Sequence, residues 1–218
     1  MKPVSTAKPP VKSDLGISWH RLWNGLGASA DGDTACTELL ARYAEPWRKY
    51  HTLQHLRECI VMFESVAYLA DRPAEVETGL WFHDAVYDPR RADNEEQSAS
   101  LARSLLAAAG VAEEVCARVD GLILATKHTA MPSEPDQQLL VDIDLSILGA
   151  DESRFEEFER QVRDEYAFVP EPIFREKRCA ILRSFLERTR IYSTPYFLGR
   201  FEHQARINLA RSIGALAN

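Results

Sequence analysis

Turn-forming residues are scarce in this chain, with 10 glycines and 11 prolines among 218 residues. A β-sandwich or barrel needs a turn every ~8–12 residues, so neither is expected. The alternation of apolar and polar residues that marks half-buried strands is nowhere evident. Cysteine is also rare. Cys36, Cys59, Cys116 and Cys179 lie far apart and form no CxxC pair. No disulfide framework is expected, and a reducing, cytoplasmic compartment is the default. No apolar run approaches ~18 residues, so no membrane-spanning helix is expected. The first residues carry lysines without an apolar stretch and do not read as a secretory signal. Sequence repeats of fixed period are missing too. Positive charge is in deficit, with 26 Lys and Arg against 33 Asp and Glu and a net charge of −7. Such a chain lacks the positive footprint that nucleic-acid backbones require. Small anionic substrates stay open, because a bound metal supplies local positive charge.

What the chain does have is the composition of a globular helical protein. Hydrophobic residues are 45% and charged residues 27%, close to the usual values. A chain of this size can build one core without disulfides or metals. Residues 1–16, with three prolines and three lysines, are expected to form a disordered tail, and residues 17–218 a single domain. Ile17, Trp19, Leu22, Trp23 and Leu26 recur at helical spacing. Asp31 or Asp33 can cap a helix carrying Leu39, Leu40 and Tyr43, which Pro46 ends. Leu53, Leu56, Ile60, Phe63 and Ala67 mark the next helix. Pro73 suits the first turn of another, with Glu75 and Glu77 near its positive end. That helix runs to His83-Asp84, and Pro89 stops it. Asp93 with Glu96 resembles a capping box, and Gly110 a C-cap. Further helices are expected near 111–127, 136–148, 151–167, 172–190 and 195–215. The last carries Ile207, Leu209, Ile213 and Leu216, which suit a core or an interface. The fold expected is all-α, a compact helical bundle.

Six histidines occur, and two groups stand out. Tyr50-His51-Thr52-Leu53-Gln54-His55 places two imidazoles four residues apart, on one face if helical. Such a pair can address one metal or simply be polar. Trp81-Phe82-His83-Asp84 ends an apolar stretch. An imidazole and a carboxylate buried there are costly unless paired or bound to a cation. The alternative is a satisfied core histidine beside a helix-end aspartate. A third element, Leu139 to Leu148, embeds Asp142 and Asp144 in an apolar helix. Two apart, they face different sides, so at most one can share a deep site. Nitrogen and oxygen ligands of these types suit Mn, Fe, Co, Ni, Zn or Mg.

The order His55, His83-Asp84, Asp144, with separations of 28 and 60 residues, resembles the H…HD…D signature of the HD-domain superfamily of metal-dependent phosphohydrolases. Tyr50-His51-x-x-x-His55 is similar to a motif of the class I cyclic nucleotide phosphodiesterases in that superfamily. The stretch 51–149, with Asp88-Pro89, Asp93-Asn94-Glu95 and Ile147-Leu148-Gly149, resembles a bacterial subfamily of HD phosphohydrolases. The resemblance implies a bundle of HD/phosphodiesterase type and a divalent metal held by His55, His83, Asp84 and Asp144. It implies hydrolysis of a small phosphoester, a nucleotide being the class suggested. His51 would be the general acid, and Asp84 would orient the attacking water or take its proton. Tyr50 and His51 could instead only support the ligands.

Cations that could hold phosphate oxygens are Arg48, Lys49, Lys127 and Arg163, with Arg48 favoured for its position three residues before His51. Asp88, Asp93 and Glu95 could bind water or a sugar hydroxyl. His128 could bind a second ion or a phosphate, or sit at a helix end, the role favoured here. Arg188, Arg190, Arg200 and Arg206 read as a solvated face. The competing function is a regulatory HD-like module that binds metal or nucleotide without turnover.

Overall fold

The computed structural model describes residues 14–217. Among them there is no strand, and ten α-helices alternate with short turns. They are α1 (Leu15–Gly25), α2 (Asp33–Tyr43), α3 (Leu53–Val66), α4 (Pro73–Phe82) and α5 (Asn94–Ala108). α6 (Glu113–Ala125), α7 (Pro135–Asp144), α8 (Glu152–Glu165), α9 (Glu171–Leu186) and α10 (Pro195–Ala217) follow. Short 3₁₀ turns, Ala67–Leu69 and Leu145–Gly149, extend α3 and α7. No described helix is long and apolar enough to cross a membrane.

α1 begins earlier than its sequence suggests. Asp14 caps it by accepting the Gly16 N–H, and Leu15 is buried. The rest of the expected tail, residues 1–13, lies outside the described residues. Ile17 points outward, while Trp19 and Trp23 stack at 5.0 Å and turn inward.

The middle of the bundle is α4. Every residue from Glu75 to Phe82 is buried, and the helix contacts α1, α3, α5, α6 and α7. Its glutamates are therefore not simple dipole partners. Glu77 accepts from Ser18 (2.6 Å) and from Arg21, and Glu75 takes two bonds from Arg118. Trp81 Nε1 donates to Ser18 Oγ at 2.9 Å, so a buried polar chain fixes α1 on α4.

Close crossing of α4 over α6 and α7 depends on Gly79. A Cβ there would stand 2.5 Å from Leu140 Cδ1 and 3.1 Å from Leu122 Cβ. Gly79→Ala is expected to destabilise the fold by about 1–3 kcal/mol, because overpacking outweighs the helix-propensity gain. Urea unfolding measures this. An unchanged midpoint would show that the three helices can separate at no cost.

Helix ends divide into local and non-local cases. Gly110 (φ 78°) closes α5: its N–H bonds Ala107 O, and Val111 N–H bonds Leu106 O. That is a Schellman ending. At the other end of α5, Asp93 makes no capping bond. Its carboxylate is held by Arg91 and Gln97, and Glu96 pairs with Lys127, so the expected capping box does not form. Asp31, not Asp33, serves α2, accepting the Asp33 N–H at 3.0 Å. Asp142 is buried beneath the start of α10 and accepts from Ser193 N–H, Thr194 N–H and Thr194 Oγ1 at 2.7–2.8 Å. In α10, Leu209 is buried, Ile213 and Leu216 pack against the core, and Ile207 stays exposed.

Candidate functional site

The chemistry-bearing residues meet where three helices reach the same depth. His55 lies in the first turn of α3. His83 caps the C-terminus of α4, and Asp84 follows in the turn. Asp144 is the last residue of α7. His55 Nε2 lies 3.1 Å from His83 Nε2, 3.4 Å from Asp84 Oδ2 and 3.2 Å from Asp144 Oδ1. His83 Nε2 lies 3.0 Å from Asp84 Oδ2 and 3.6 Å from Asp144 Oδ1. Both imidazoles are 2% exposed, which is why the cluster cannot be left to water.

Burial opposes charge on all four groups, yet mutual pairing wins. Against that burial, His83 is held well above the usual imidazole range by Asp84, Tyr43 and Asp144. His55 is likewise raised, by Cys59, Tyr50 and both carboxylates. Asp84 and Asp144 are held well below the carboxylate range by the facing histidines. Two imidazoles thus face two carboxylates, each pair favouring the charged form of the other. One divalent cation between neutral imidazoles would offset the same two carboxylates. The spacing fits it: atoms ~2.0–2.2 Å from a common ion stand ~3.0–3.6 Å from one another. His83 Nδ1 lies 2.8 Å from Leu80 O, the support that leaves Nε2 free to ligate. Two buried polar atoms beside the cluster, Tyr50 Oη and His128 Nδ1, have no hydrogen-bond partner.

Cys59, one turn after His55, belongs to the same constellation. His55, Cys59, His83 and Asp144 offer ligand atoms all within 4.8 Å of one another, and this buried group could hold a metal ion. Cys59 Sγ stands 3.8 Å from both His55 nitrogens. The sequence hides it, because Leu56, Cys59, Ile60 and Phe63 form an apolar stripe in which a thiol reads as core.

His51 is near His55, with ring centroids 6.0 Å apart, but not on its helix. α3 starts at Leu53 with Thr52 as cap, so His51 sits in the preceding turn. Glu165, at the end of α8, holds that turn. One oxygen accepts the N–H groups of Lys49, Tyr50 and His51 at 2.7–2.9 Å. The other meets His51 Nδ1 at 2.7 Å and Tyr87 Oη at 3.1 Å. Burial raises Glu165, but His51 and the N–H donors outweigh it and hold the group at about 2. An ionised carboxylate only accepts, so Nδ1 carries the proton, and among the described residues none is hydrogen-bonded to Nε2. His51 also stacks on Tyr87 at 3.9 Å. Glu165 was not expected from the sequence. One signal existed: it continues the stripe Phe155, Phe158, Val162 on which the other residues are buried.

Several expected phosphate contacts are committed elsewhere. Arg48 is buried and donates to the carbonyls of Asp84 (2.6 Å), Ala85 (3.1 Å) and His51 (3.3 Å). It ties the two loops of the site together instead of facing a ligand. Lys127 is paired with Glu96, and Lys49 bonds Pro46 O. Arg163 is held by Glu171 and two carbonyls. Asp88 accepts the Arg90 N–H within its own turn. His128, in the left-handed region at φ 54°, directs Nε2 to Asp144 Oδ2 at 3.0 Å, so it orients a candidate ligand. Arg206 is not on a solvated face. It donates to the carbonyls of Leu186, Arg188 and Thr189 at the end of α9.

Above the cluster opens a cavity of about 910 Å³, reached by His51, His83, Asp84, Glu95, Lys127, His128 and Asp144. A second, of about 490 Å³, touches His55, Cys59 and Asp144 from behind. The arrangement therefore offers a compact set of hard and borderline ligands, an adjacent imidazole–carboxylate pair, and room for a small molecule. No family model, no curated protein and no solved structure matches this chain.

Proposed function

We propose that this chain is a metal-dependent phosphohydrolase of HD type, with a divalent cation (Mn, Co, Ni, Fe, Zn or Mg) held by His55, His83, Asp84 and Asp144. One observation carries the reading: the ligand atoms of His55 and His83 lie 3.0–3.6 Å from one another and from those of Asp84 and Asp144, and His83, Asp84 and Asp144 open onto a cavity. A buried structural ion pair would need no cavity, and a surface acidic cluster would not be sealed on two buried imidazoles. Cys59 offers its thiol within 4.8 Å of the ligand atoms of His55, His83 and Asp144, the three of that set it groups with.

Such a cation supplies Lewis acidity to a phosphoryl oxygen and to water. The chain supplies the rest. Asp84, in the turn beside the cavity, orients the attacking water or accepts its proton. His51 donates a proton from Nε2 to the departing oxygen, and Glu165 holds Nδ1 and offsets the imidazolium charge. Arg48 fixes the Asp84 and His51 carbonyls on one guanidinium, setting the acid and the base at a constant separation.

The test combines metal analysis with a panel of small phosphoesters. The Mn-, Co- or Ni-loaded chain is expected to release product from at least one of them, and His83→Ala to lose both metal and turnover. Full metal content in His83→Ala would overturn the ligand assignment. Metal binding without turnover across the panel would favour the regulatory module.

A further inference from the structure

We infer that the substrate of this site is an amphiphile, a small phosphoester whose other end is an apolar chain or ring rather than a nucleoside. The inference rests on the phosphohydrolase reading above and names its substrate class.

The cavity has two unlike ends. At the cluster stand His51, Asp84 and Asp144, and close by is Arg188. Arg188 Nη2 donates to His128 O at 3.0 Å, and its guanidinium lies 4.4 Å from the Phe185 ring. No described carboxylate pairs with it, and the residue whose carbonyl it bonds, His128, also reaches Asp144 through its side chain. The sequence reading placed Arg188 on a solvated face, and the turn at His128 brings it to the cavity instead.

From the cluster outward, where Phe158 meets Tyr50 and Phe185 meets His128, α8 and α9 wall the cavity with Phe158, Val162, Phe174, Leu182 and Phe185. At the mouth, Phe168, Ile173 and Ile181 are 45%, 45% and 49% exposed. Large apolar side chains left exposed along a cavity lining are the kind of surface that marks a binding site, although Phe168 also carries the Arg90 guanidinium on its ring at 4.1 Å. Part of the polar lining is already occupied. Arg91 holds Asp93 at 2.6 Å, Thr126 Oγ1 donates to Ile123 O, and the Asn94 amide bonds the Asp88 backbone at both ends. Lys127 is taken by Glu96. A nucleoside brings ring nitrogens and ribose hydroxyls, and the side chains of Phe158, Val162, Phe174, Leu182 and Phe185 offer them no partners. An alkyl or aryl group needs none.

Calorimetric titration of the Mn-loaded chain with methyl-, butyl- and octylphosphonate tests this, with a nucleoside 5′-phosphonate beside them. These probes keep the charged head and resist hydrolysis. Affinity is expected to rise up to about fourfold per buried methylene, with octylphosphonate at least about tenfold tighter than the nucleoside compound. Ile181→Gln, at the exposed mouth, should weaken octylphosphonate severalfold and leave methylphosphonate unchanged. Arg188→Met should weaken all phosphonates alike. Equal affinity along the series, or tighter binding of the nucleoside phosphonate, would overturn the inference while the metal reading stands. If the samples hold no metal and octylphosphonate binds no better than octanol, the phosphohydrolase reading itself has failed, and the inference with it. Co-sedimentation with phosphatidic acid vesicles, without binding of free octylphosphonate, would overturn it in favour of a bilayer surface.

Discussion

In the Asp144→Asn variant, bound divalent metal is expected to fall from about one ion per chain to below a tenth of that. Turnover should fall about 10³-fold or more, because several kcal/mol of charge stabilisation leave with the ion. The reason is positional. Asp144 Oδ1 faces His55 at 3.2 Å and His83 at 3.6 Å, while Oδ2 faces His128 at 3.0 Å. The amide keeps the shape and removes the charge, so helix content by circular dichroism should not change. His128→Ala offers an intermediate step. It leaves all four proposed ligands in place and removes only the support behind Asp144. Metal affinity should then weaken by about 10–100-fold without being lost. Equilibrium dialysis against a Mn or Zn buffer ranks the three proteins. If Asp144→Asn binds metal as tightly as the wild type, the ion is held by another set, and the second cavity beside Cys59 becomes the place to look.

How far the sequence foretold this site depends on how local each signal is. The helices are written in short-range periodicity, and the ending at Gly110 is set by its neighbours alone, so both are legible. His83, Asp84 and Asp144 are marked because each is polar in an apolar run, which burial makes costly without a shared partner, whereas His55 is marked only by its spacing from His51 and by the resemblance to the HD signature. Asp142 is marked the same way as Asp144 but serves the backbone at Ser193 and Thr194; spacing alone placed the two carboxylates on different sides. Arg48 defeated the reading because a guanidinium three residues from a histidine looks free until the loop after α4 folds onto it. Capping at Asp93 failed because Arg91 and Gln97 compete for the same carboxylate. Glu165 lies 114 residues beyond His51, and no local pattern joins them. Only the apolar stripe of α8 singles it out from Glu157 and Glu159, and neither of those is buried.

Glu165→Gln is expected to separate catalysis from metal binding. The wild-type carboxylate fixes the proton on His51 Nδ1. An amide can present its N–H₂ to that nitrogen and favour the neutral tautomer with its proton on Nε2, and it gives the doubly protonated ring no counter-charge. Turnover should fall about 10²–10⁴-fold, with metal content unchanged. His51→Ala should match it, and the double variant should add little, because the pair acts as one unit. A second readout follows from the depressed acidity. Glu165 titrates near 2 in the fold against an ordinary value of 4.5. A carboxyl lowered in this way contributes stability that is fully present above about pH 4.5 and is lost as pH falls toward 2. Its size is at most about 3 kcal/mol. Urea unfolding of the metal-free chains should therefore show wild type more stable than Glu165→Gln at pH 5, with the gap closing between pH 4.5 and 2. A gap that stays constant over that range would mean that the N–H groups of Lys49, Tyr50 and His51 accept the protonated carboxyl as readily as the carboxylate. Glu165 would then hold the turn by shape, and loss of turnover in Glu165→Gln would report the His51 proton alone.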